Sequence, residues 1–397
     1  MVRSLWPLVA SLGVTQTIAW ASTYYLPAIL ADPISLDLGM DTSDFYLAFS
    51  MSLVVSAVFG PVFGKAIDNL SGHRVLPASN VLFAAGLILL GFATGASGLY
   101  LAWFMIGLGM AGGLYESAFS TLVRIYGQSA RSAITGITLI AGFASTVGWP
   151  LSGWFLSYWG WREACWAWAS LHMLLAMPLN LAIDWLSTIK RWDIANGSEE
   201  HKPQADMPMA PPKDQKAPTL KQALLLSFVF SVTWFTSTAM ASHWPRMLEA
   251  AGVSLVNAIA VGAIIGPAQV MARILEFGLL RKMHPLLSAR LAAMAHPMGA
   301  LLMVVLGPVA APIFALLHGA GNGVLTIAKG TLPLALFGSS GYGYRQGWIM
   351  LPARICSAFA PWMFGLALTQ WGVGALGITI ALGALSIFAL CAIDLKK

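Results

Sequence analysis

Three basic residues, Arg273, Lys329 and Arg354, stand inside segments that are otherwise typical of membrane-spanning helices. A charged side chain at the centre of a bilayer costs about 2.5–3.5 kcal/mol on insertion scales, so each of the three must face protein or a water-filled cavity. A guanidinium also presents a fork of donors that matches a carboxylate. The three residues therefore predict a positively charged site for an anionic solute, with Arg273 as its main contact and Arg354 or Lys329 as the second.

Each of these residues also has a structural explanation. Arg273 can form a salt bridge with Glu276 on its own helix, and Lys329 can extend its ammonium group to the nearest membrane surface. Glu116 is the single acid well inside the first half of the sequence. Since burial disfavours the charged form of a carboxylate, we expect Glu116 to carry a coupling proton; a permanent salt bridge to Lys329 or Arg354 is the alternative.

Polar and aromatic residues recur at helical spacing beside these charges. Gln16, Trp20 and Tyr24 follow each other at intervals of four residues, which places them on one face of a helix. Asn322 shares a helical face with Lys329 in the same way. We therefore add these polar and aromatic residues to the predicted substrate site, although an aromatic stripe at this spacing also fits simple packing.

The elements that must position these side chains follow from the composition. Of the 397 residues, 58% are hydrophobic and only 10% are charged, whereas a soluble domain carries ~25% charged residues. Apolar stretches of ~20 residues, long enough to cross a bilayer, recur throughout the chain. They predict twelve membrane-spanning helices, at about 5–30, 44–67, 75–95, 98–126, 132–159, 162–186, 220–248, 254–280, 286–306, 309–337, 344–370 and 373–394.

The polar, proline-containing stretch 187–219 lies between the sixth and seventh predicted helices, and we interpret it as a linker with little fixed structure. It divides the chain into an amino-terminal unit, residues 1–186, and a carboxy-terminal unit, residues 220–397. Basic residues concentrate on the side of the predicted helices that carries the linker and both termini, so we expect that side to be cytoplasmic. The short loops favour a bacterial cytoplasmic (inner) membrane.

The charge balance and the cysteines exclude other classes. The net charge of +6 comes from basic residues at helix ends, so it does not indicate nucleic-acid binding. The three cysteines are too scattered for disulfides or a zinc site. We find no phosphate-binding loop, metal-ligand cluster or nucleophile–base constellation, and we expect no cofactor and no enzymatic activity. The expected partners are a small-molecule substrate, protons and the lipid bilayer, and the chain is expected to be a monomer.

The two units also resemble each other. The fifth predicted helix closes with Trp159-Gly160 and the eleventh with Trp371-Gly372. The fourth and tenth carry Thr121-Leu122 and Thr331-Leu332 after glycine-rich stretches. Together these matches predict a duplicated six-helix unit with the substrate site at the interface between the copies.

The loop after the second predicted helix carries a recognisable motif. Gly64, Asp68, Gly72 and Arg74 stand at positions of the G-x-x-x-D-R-x-G-R-R signature of the major facilitator superfamily. The sequence departs from the signature at Asn69 and has one extra residue before the second glycine. The chain resembles that superfamily over its whole length. The resemblance implies an all-α membrane protein with twelve transmembrane helices in two pseudo-symmetric six-helix bundles.

In that superfamily the aspartate of the motif helps to hold the cytoplasmic side shut. By this resemblance we expect Asp68 to bind the amino end of the eleventh predicted helix, or Arg124, or Arg131. We expect Gly64 to allow close helix packing and Gly72 to form the tight turn of the loop.

Basic residues in the eighth and eleventh helices look like those of the oxalate/formate and monocarboxylate transporter branch, where they hold the substrate carboxylate. Arg273 and Arg354 fall on those two predicted helices. The resulting hypothesis is a proton-coupled carrier of a small, monocarboxylate-like organic anion that works by alternating access. The alternative hypothesis is an efflux pump for drugs, metalloids or other toxic compounds.

Overall fold

The computed structural model describes residues 6–186, 220–280 and 284–393, and the predicted linker 187–219 lies outside the described residues. All regular secondary structure in the described ranges is helical. The α-helices are Trp6–Ala21 (α1), Pro27–Asp37 (α2), Thr42–Leu70 (α3), Gly72–Gly91 (α4), Ala96–Gly113 (α5), Tyr115–Tyr126 (α6), Arg131–Ala141 (α7), Ala144–Trp159 (α8), Trp161–Leu171 (α9), Met177–Leu181 (α10), Leu220–Ala250 (α11), Leu255–Gly262 (α12), Ile265–Leu275 (α13), Pro285–Leu306 (α14), Ala311–Phe337 (α15), Tyr342–Trp371 (α16) and Leu376–Cys391 (α17). Short 3₁₀ segments at Gly127–Ala130, Gly307–Ala310 and Gly372–Ala375, and π-helical segments at His172–Ala176 and Glu276–Leu280, join or extend them.

Eight helical stretches within these ranges are long and apolar enough to cross a membrane. The longest, Pro285–Phe337, contains two helices that pack against each other. Gly299 packs on Phe314 near the turn, and His296 contacts His318 further from it. α14 and α15 are therefore antiparallel. The predicted all-α membrane fold is confirmed.

Four of the predicted helices are interrupted, which the apolar pattern did not predict. The first restarts at Pro27, whose ring nitrogen has no N–H to continue a helix. The fourth breaks at Leu114, where the backbone is extended (φ −88°, ψ −172°). The fifth breaks at 142–143 and the eighth at 263–264. Breaks of this kind leave backbone carbonyls inside the bundle that side chains can bind.

Four clusters of buried apolar side chains form the core. We call residues 6–186 the first half and residues 220–393 the second half. Two clusters lie within the second half, whereas the other two contain residues from both halves. Leu334 and Tyr342, for example, belong to the cluster that surrounds Leu122 of the first half. The halves thus meet through apolar surface, and their division into two separate six-helix units stays a prediction.

Candidate functional site

At one end of the molecule, which we call the gate end, the loop after α3 contacts the second half. The Asp68 carboxylate accepts hydrogen bonds from the backbone N–H groups of Gly343 and Tyr344, both at 2.9 Å. These N–H groups open α16, where unpaired donors and the helix dipole favour an anion. Of the partners expected for Asp68, the carboxylate therefore binds the amino end of the eleventh predicted helix. Arg124 donates instead to the backbone carbonyl of Asp68.

The two glycines of the loop motif have packing roles. A Cβ atom at Gly64 would overlap the backbone of Gly343, so α3 and α16 meet there without side chains between them. The prediction that Gly72 forms the turn is wrong, because the residue with positive φ (81°) is Ser71. The loop has one residue more than the signature, and the turn falls on that residue. Gly72 begins α4, where a Cβ atom would overlap the Thr121 side chain.

Asp68→Ala is expected to loosen the gate end. An anion at a helix amino terminus contributes about 0.3–2 kcal/mol, so amide exchange of Gly343 and Tyr344 should rise by up to ~30-fold. Hydrogen–deuterium exchange read by mass spectrometry would measure this. Asp184→Ala is the matched control, since Asp184 binds His73 within the first half. Equal protection of the α16 amino end in Asp68→Ala and the parent protein would contradict a role of Asp68 in holding the gate end together.

A salt bridge forms a second contact between the halves at the gate end. Arg131 binds Glu276 at 2.9 Å, and Glu276 is almost completely buried. The alternative expectation, that Glu276 pairs with Arg273, is wrong. α13 ends at Leu275 and the chain continues as a π-helix, which directs the carboxylate towards the first half. Arg74, the last residue of the loop motif, is exposed.

His284 lies in the connection before α14, within electrostatic range of this salt bridge. Its Nδ1 accepts a hydrogen bond from the Leu286 N–H at 3.2 Å and so caps the helix. Burial, followed by the positive charges of Arg131 and Arg290, lowers the pKa of this imidazole. A lowered pKa keeps the ring neutral at physiological pH, so Nδ1 stays available as the capping acceptor.

Arg354 and Glu116 form a buried salt bridge between α16 and α6. Nη2 of the arginine lies 2.8 Å from the carboxylate, and the residues are 4% and 8% exposed. Nη1 donates to the backbone carbonyl of Ser56 at 2.7 Å and to its hydroxyl at 2.5 Å. This is the pairing that the sequence left open as the alternative for Glu116. The carboxylate neutralises the guanidinium, and their roles towards substrate and proton stay predictions.

Arg273 is held only by neutral groups. Its Nε, Nη1 and Nη2 atoms donate to the Gly323 carbonyl at 3.3 Å, the Thr138 carbonyl at 3.1 Å and the Gln269 side chain at 3.4 Å. A Cβ atom at Gly142, at the break after α7, would overlap the guanidinium. Arg273 therefore joins the two halves. It is 4% exposed, and no carboxylate among the described residues pairs with it.

Lys329 has fewer polar contacts still. Its Nζ lies 4.7 Å from the centre of the Trp234 ring, a cation–π arrangement. The residue is buried, and its ammonium group has no hydrogen bond or ion pair within the part of the chain that the structure describes. Glu116 and Arg273 both lie within electrostatic range. Lys329 is thus a second buried cation without a counter-ion of its own.

Four aromatic side chains, which we call the aromatic wall, pack together beside these cations. The Trp20 ring centre lies 5.2 Å from Tyr24, 6.4 Å from Tyr25 and 5.0 Å from Tyr115. Tyr25 and Tyr115 lie within electrostatic range of Arg273. Two of these residues, Trp20 and Tyr24, were predicted site residues. Tyr115 was not, although it directly precedes the one interior acid of the first half.

Two predicted site residues lie elsewhere. Gln16 donates from Nε2 to the Gly113 carbonyl at 2.7 Å, and so satisfies the backbone where the fourth predicted helix breaks. Asn322 lines a cavity of about 40 Å³ between α11, α14, α15 and α17. His296 and His318 also line it, with their Nδ1 atoms 2.9 Å apart. No hydrogen bond in the described ranges joins Gln16 or Asn322 to the two unpaired cations.

A buried hydrogen-bonded chain in the first half has no counterpart in the sequence-based expectations. His172 Nε2 lies 2.8 Å from the Ser22 hydroxyl, and His172 Nδ1 lies 3.1 Å from the side-chain oxygen Oδ1 of Asn80. The order Ser–His–Asn matches a nucleophile, base and orienting group. However, Ser22 and His172 are completely buried, so no substrate reaches the hydroxyl. The chain instead ties the break after α1 to α4 and to the π-helical segment His172–Ala176.

Comparisons with known proteins agree with the fold described above. A family model described as Major Facilitator Superfamily matches residues 12–361. The fold is similar to the proton:xylose symporter XylE bound to 6-bromo-6-deoxy-D-glucose, with a TM-score of 0.70, 10% identity and coverage of 98% of this chain and 95% of that one. It is also similar to the human organic anion transporter MFSD10 (TETRAN), with a TM-score of 0.67, 15% identity and coverage of 98% and 99%.

One relative is closer in sequence but shorter in coverage. An uncharacterized 38 kDa protein in the 23S RNA operon of Thermoproteus tenax is 35% identical over 160 residues. The match spans 40% of this chain and 41% of that relative. The two structural matches, at 10% and 15% identity, show the fold and do not identify the cargo.

Proposed function

The chain belongs to the Major Facilitator Superfamily and is a multi-pass membrane transporter of small solutes, and we propose that its cargo is a small organic anion moved together with protons. One observation carries this proposal. Of the buried carboxylates near these helices, Glu116 binds Arg354 and Glu276 binds Arg131, so the buried Arg273 and Lys329 have no carboxylate partner among the described residues. Burying unpaired charge is costly. A site that keeps two such charges is best explained by an anionic ligand.

The anion is proposed to bind between Arg273 and Lys329. A guanidinium has five N–H groups, and three contacts of Arg273 use one N–H each. The remaining two are available for a carboxylate. The Lys329 ammonium group, whose described contact is the Trp234 ring, supplies further donors. Arg354 is the less favoured contact because Glu116 and Ser56 already satisfy it.

Coupling to protons is proposed to use Glu116. A proton on its carboxylate would remove the charge that holds Arg354, while Arg354 also bonds to Ser56 across the halves. Protonation would therefore weaken a contact between the halves at the same time as it adds positive charge near the site. Both effects favour anion binding together with a change in how the halves meet.

The structure is closed at the gate end by the contacts of Asp68 with α16 and of Arg131 with Glu276. We assign the gate end to the cytoplasm, in keeping with the basic loops. The site would then alternate between the two membrane faces as these contacts form and break. The proposal includes the oxalate/formate and monocarboxylate transporter branch, a bacterial inner membrane, cytoplasmic termini and a monomer.

Thermal unfolding of the detergent-purified chain against a ligand panel tests this proposal. The panel holds mono- and dicarboxylates, inorganic oxyanions, arsenicals and lipophilic cations at two pH values. A ligand at 100 times its Kd adds about 2.7 kcal/mol to the folded state, which shifts the midpoint measurably. We expect stabilisation by carboxylates, stronger at the lower pH because the proposed proton and the anion bind together. Stabilisation by arsenicals or lipophilic cations alone would replace the proposal with the efflux pump.

A further inference from the structure

The aromatic wall borders the two unpaired cations and is partly open. Tyr24, Tyr25 and Tyr115 are only half-buried and lie at breaks within predicted membrane segments, the first two between α1 and α2 and Tyr115 directly after Leu114. Trp234, which packs against the same cluster from the second half, is half-buried as well. Side chains in the middle of a bundle retain exposed surface when they face a space inside it. These rings are therefore the apolar surface that a bound solute would touch.

Trp20, at the centre of the wall, carries a polar group without a partner. Its indole Nε1–H is buried and has no hydrogen-bond acceptor among the described residues, while the residue itself is 9% exposed. Buried donors are almost always paired, because leaving one unpaired forfeits its hydrogen bond to water. Trp103, Trp166 and Trp244 also have unpaired indole N–H groups among the described residues, but Trp20 is the one of these four that lies in the aromatic wall, where an acceptor of the cargo would meet it.

The ring arrangement also favours a planar partner. The wall rings meet at tilted or edge-on angles with centres 5.0–6.4 Å apart, the separations at which aromatic quadrupoles attract each other. Trp234 already holds one cation, Lys329, against its face. A ligand ring placed among these residues would have aromatic neighbours on several sides. The cations lie on the same side of the site, since Arg273 is within electrostatic range of Tyr25 and Tyr115 and Lys329 contacts Trp234.

We propose that the cargo is an aromatic monocarboxylate, whose carboxylate binds Arg273 and Lys329 and whose ring packs between the aromatic wall and Trp234. This inference rests on the proposed function, because it names the class of organic anion that the same site takes. A carboxylate with a small aliphatic body would satisfy the cations but would not cover the exposed surface of the half-buried rings. A ring without the negative charge would leave the two cations unpaired.

Isothermal titration calorimetry on the full chain, with three matched probes, tests this inference. Benzoate and cyclohexanecarboxylate have the same charge and similar size but differ in aromaticity, and benzylammonium keeps the ring and reverses the charge. We expect benzoate to bind about tenfold more tightly than cyclohexanecarboxylate through ring–ring attraction. Benzylammonium is expected not to bind. Equal affinities of the two carboxylates, or binding of benzylammonium as tight as that of benzoate, would overturn the inference.

Two variants connect the preference to the wall. Tyr115→Leu removes a half-buried ring, and Trp20→Leu removes both a ring and the unpaired donor. Each is expected to reduce the preference for benzoate to about two- to threefold. Trp154→Leu, at an exposed ring elsewhere in the first half, should leave it unchanged. If Trp20→Leu fails to fold, Tyr115→Leu still tests the inference. Its ring is not part of the fully buried core, so this variant is expected to fold.

The outcomes separate this inference from the proposed function. If aliphatic carboxylates bind and benzoate does not, the aromatic cargo is excluded while the organic-anion proposal stands. If benzoate keeps its full preference in Tyr115→Leu and in folded Trp20→Leu, the wall is not the ring-binding surface and the inference fails. If no carboxylate binds at either pH, the proposed function fails and the inference fails with it.

Discussion

Arg273→Ala is expected to weaken carboxylate binding about 100-fold or more, which corresponds to at least ~2.7 kcal/mol. Among the described residues, the guanidinium is the one fully buried cation held by neutral oxygens alone, so its charge is available to the cargo. Loss of carboxylate-dependent stabilisation in thermal unfolding, with the unliganded midpoint preserved within a few degrees, would show the effect. Arg273→Lys should bind carboxylates more weakly than the parent protein but more tightly than Arg273→Ala, since lysine keeps the charge but loses the fork that matches a carboxylate.

Arg246→Ala is the matched control for this experiment. Arg246 is exposed near the end of α11, so its removal should change neither the unliganded midpoint nor the carboxylate response. If Arg273→Ala bound carboxylates as tightly as the parent protein, Arg273 would be only a clamp between Thr138 and Gly323. The anion site would then have to be sought at Lys329 alone.

Glu116→Ala is expected to destabilise the folded protein by about 3–5 kcal/mol, because it leaves the Arg354 guanidinium buried without its counter-ion. Removing both charges should cost less, since well-packed apolar residues replace a buried ion pair at little or no cost. The double variant Glu116→Leu/Arg354→Met is therefore expected to be more stable than Glu116→Ala. Denaturant unfolding in a fixed detergent, followed by intrinsic fluorescence, would compare the three proteins.

A double-mutant cycle makes the comparison quantitative. Glu116→Leu and Arg354→Met are measured singly and together, and the coupling energy should be about 2 kcal/mol or more for a buried, hydrogen-bonded pair. Additive effects would mean that the two residues do not depend on each other in the folded protein. The pair would then be a minor contact, and a role for Glu116 in releasing Arg354 would lose its basis.

The sequence predicts much of this site because charge in a membrane has few explanations. An interior acid needs a partner, and only a few interior basic residues exist, so the pairing of Glu116 with Arg354 was among the alternatives although 238 residues separate the two. The resemblance to the superfamily motif gave the amino end of α16 as one of three partners for Asp68, and the structure shows that contact, which the helix dipole favours.

Other features depend on local geometry that apolar patterns do not encode. Regular helical spacing brings Arg273 and Glu276 together, but α13 becomes π-helical at Glu276, which changes the direction of the side chain. Asn322 does share a helical face with Lys329. Seven residues nevertheless separate them by about 10 Å along the axis, and Asn322 lines the cavity beside His296 and His318. The hydropathy of its segment also did not predict the break at Leu114. This break leaves the Gly113 carbonyl without a helical partner, and Gln16 binds it instead.

The glycine contact between α3 and α16 bears on how the membrane keeps its ion gradients. Added Cβ atoms at Gly64 and Gly347 would overlap the backbones of Gly343 and Pro61, so the two helices touch main chain to main chain. This contact leaves no room for a side chain between the two helices, and a void of only about 10 Å³ lies beside it, lined by Gly64, Gly343 and Glu116 among others. While the gate end is closed, we expect this seam to limit the passage of water and protons between the two faces of the membrane. A methyl group added there would push the two helices apart. We expect the first measurable effect to be leakage of protons rather than loss of cargo binding.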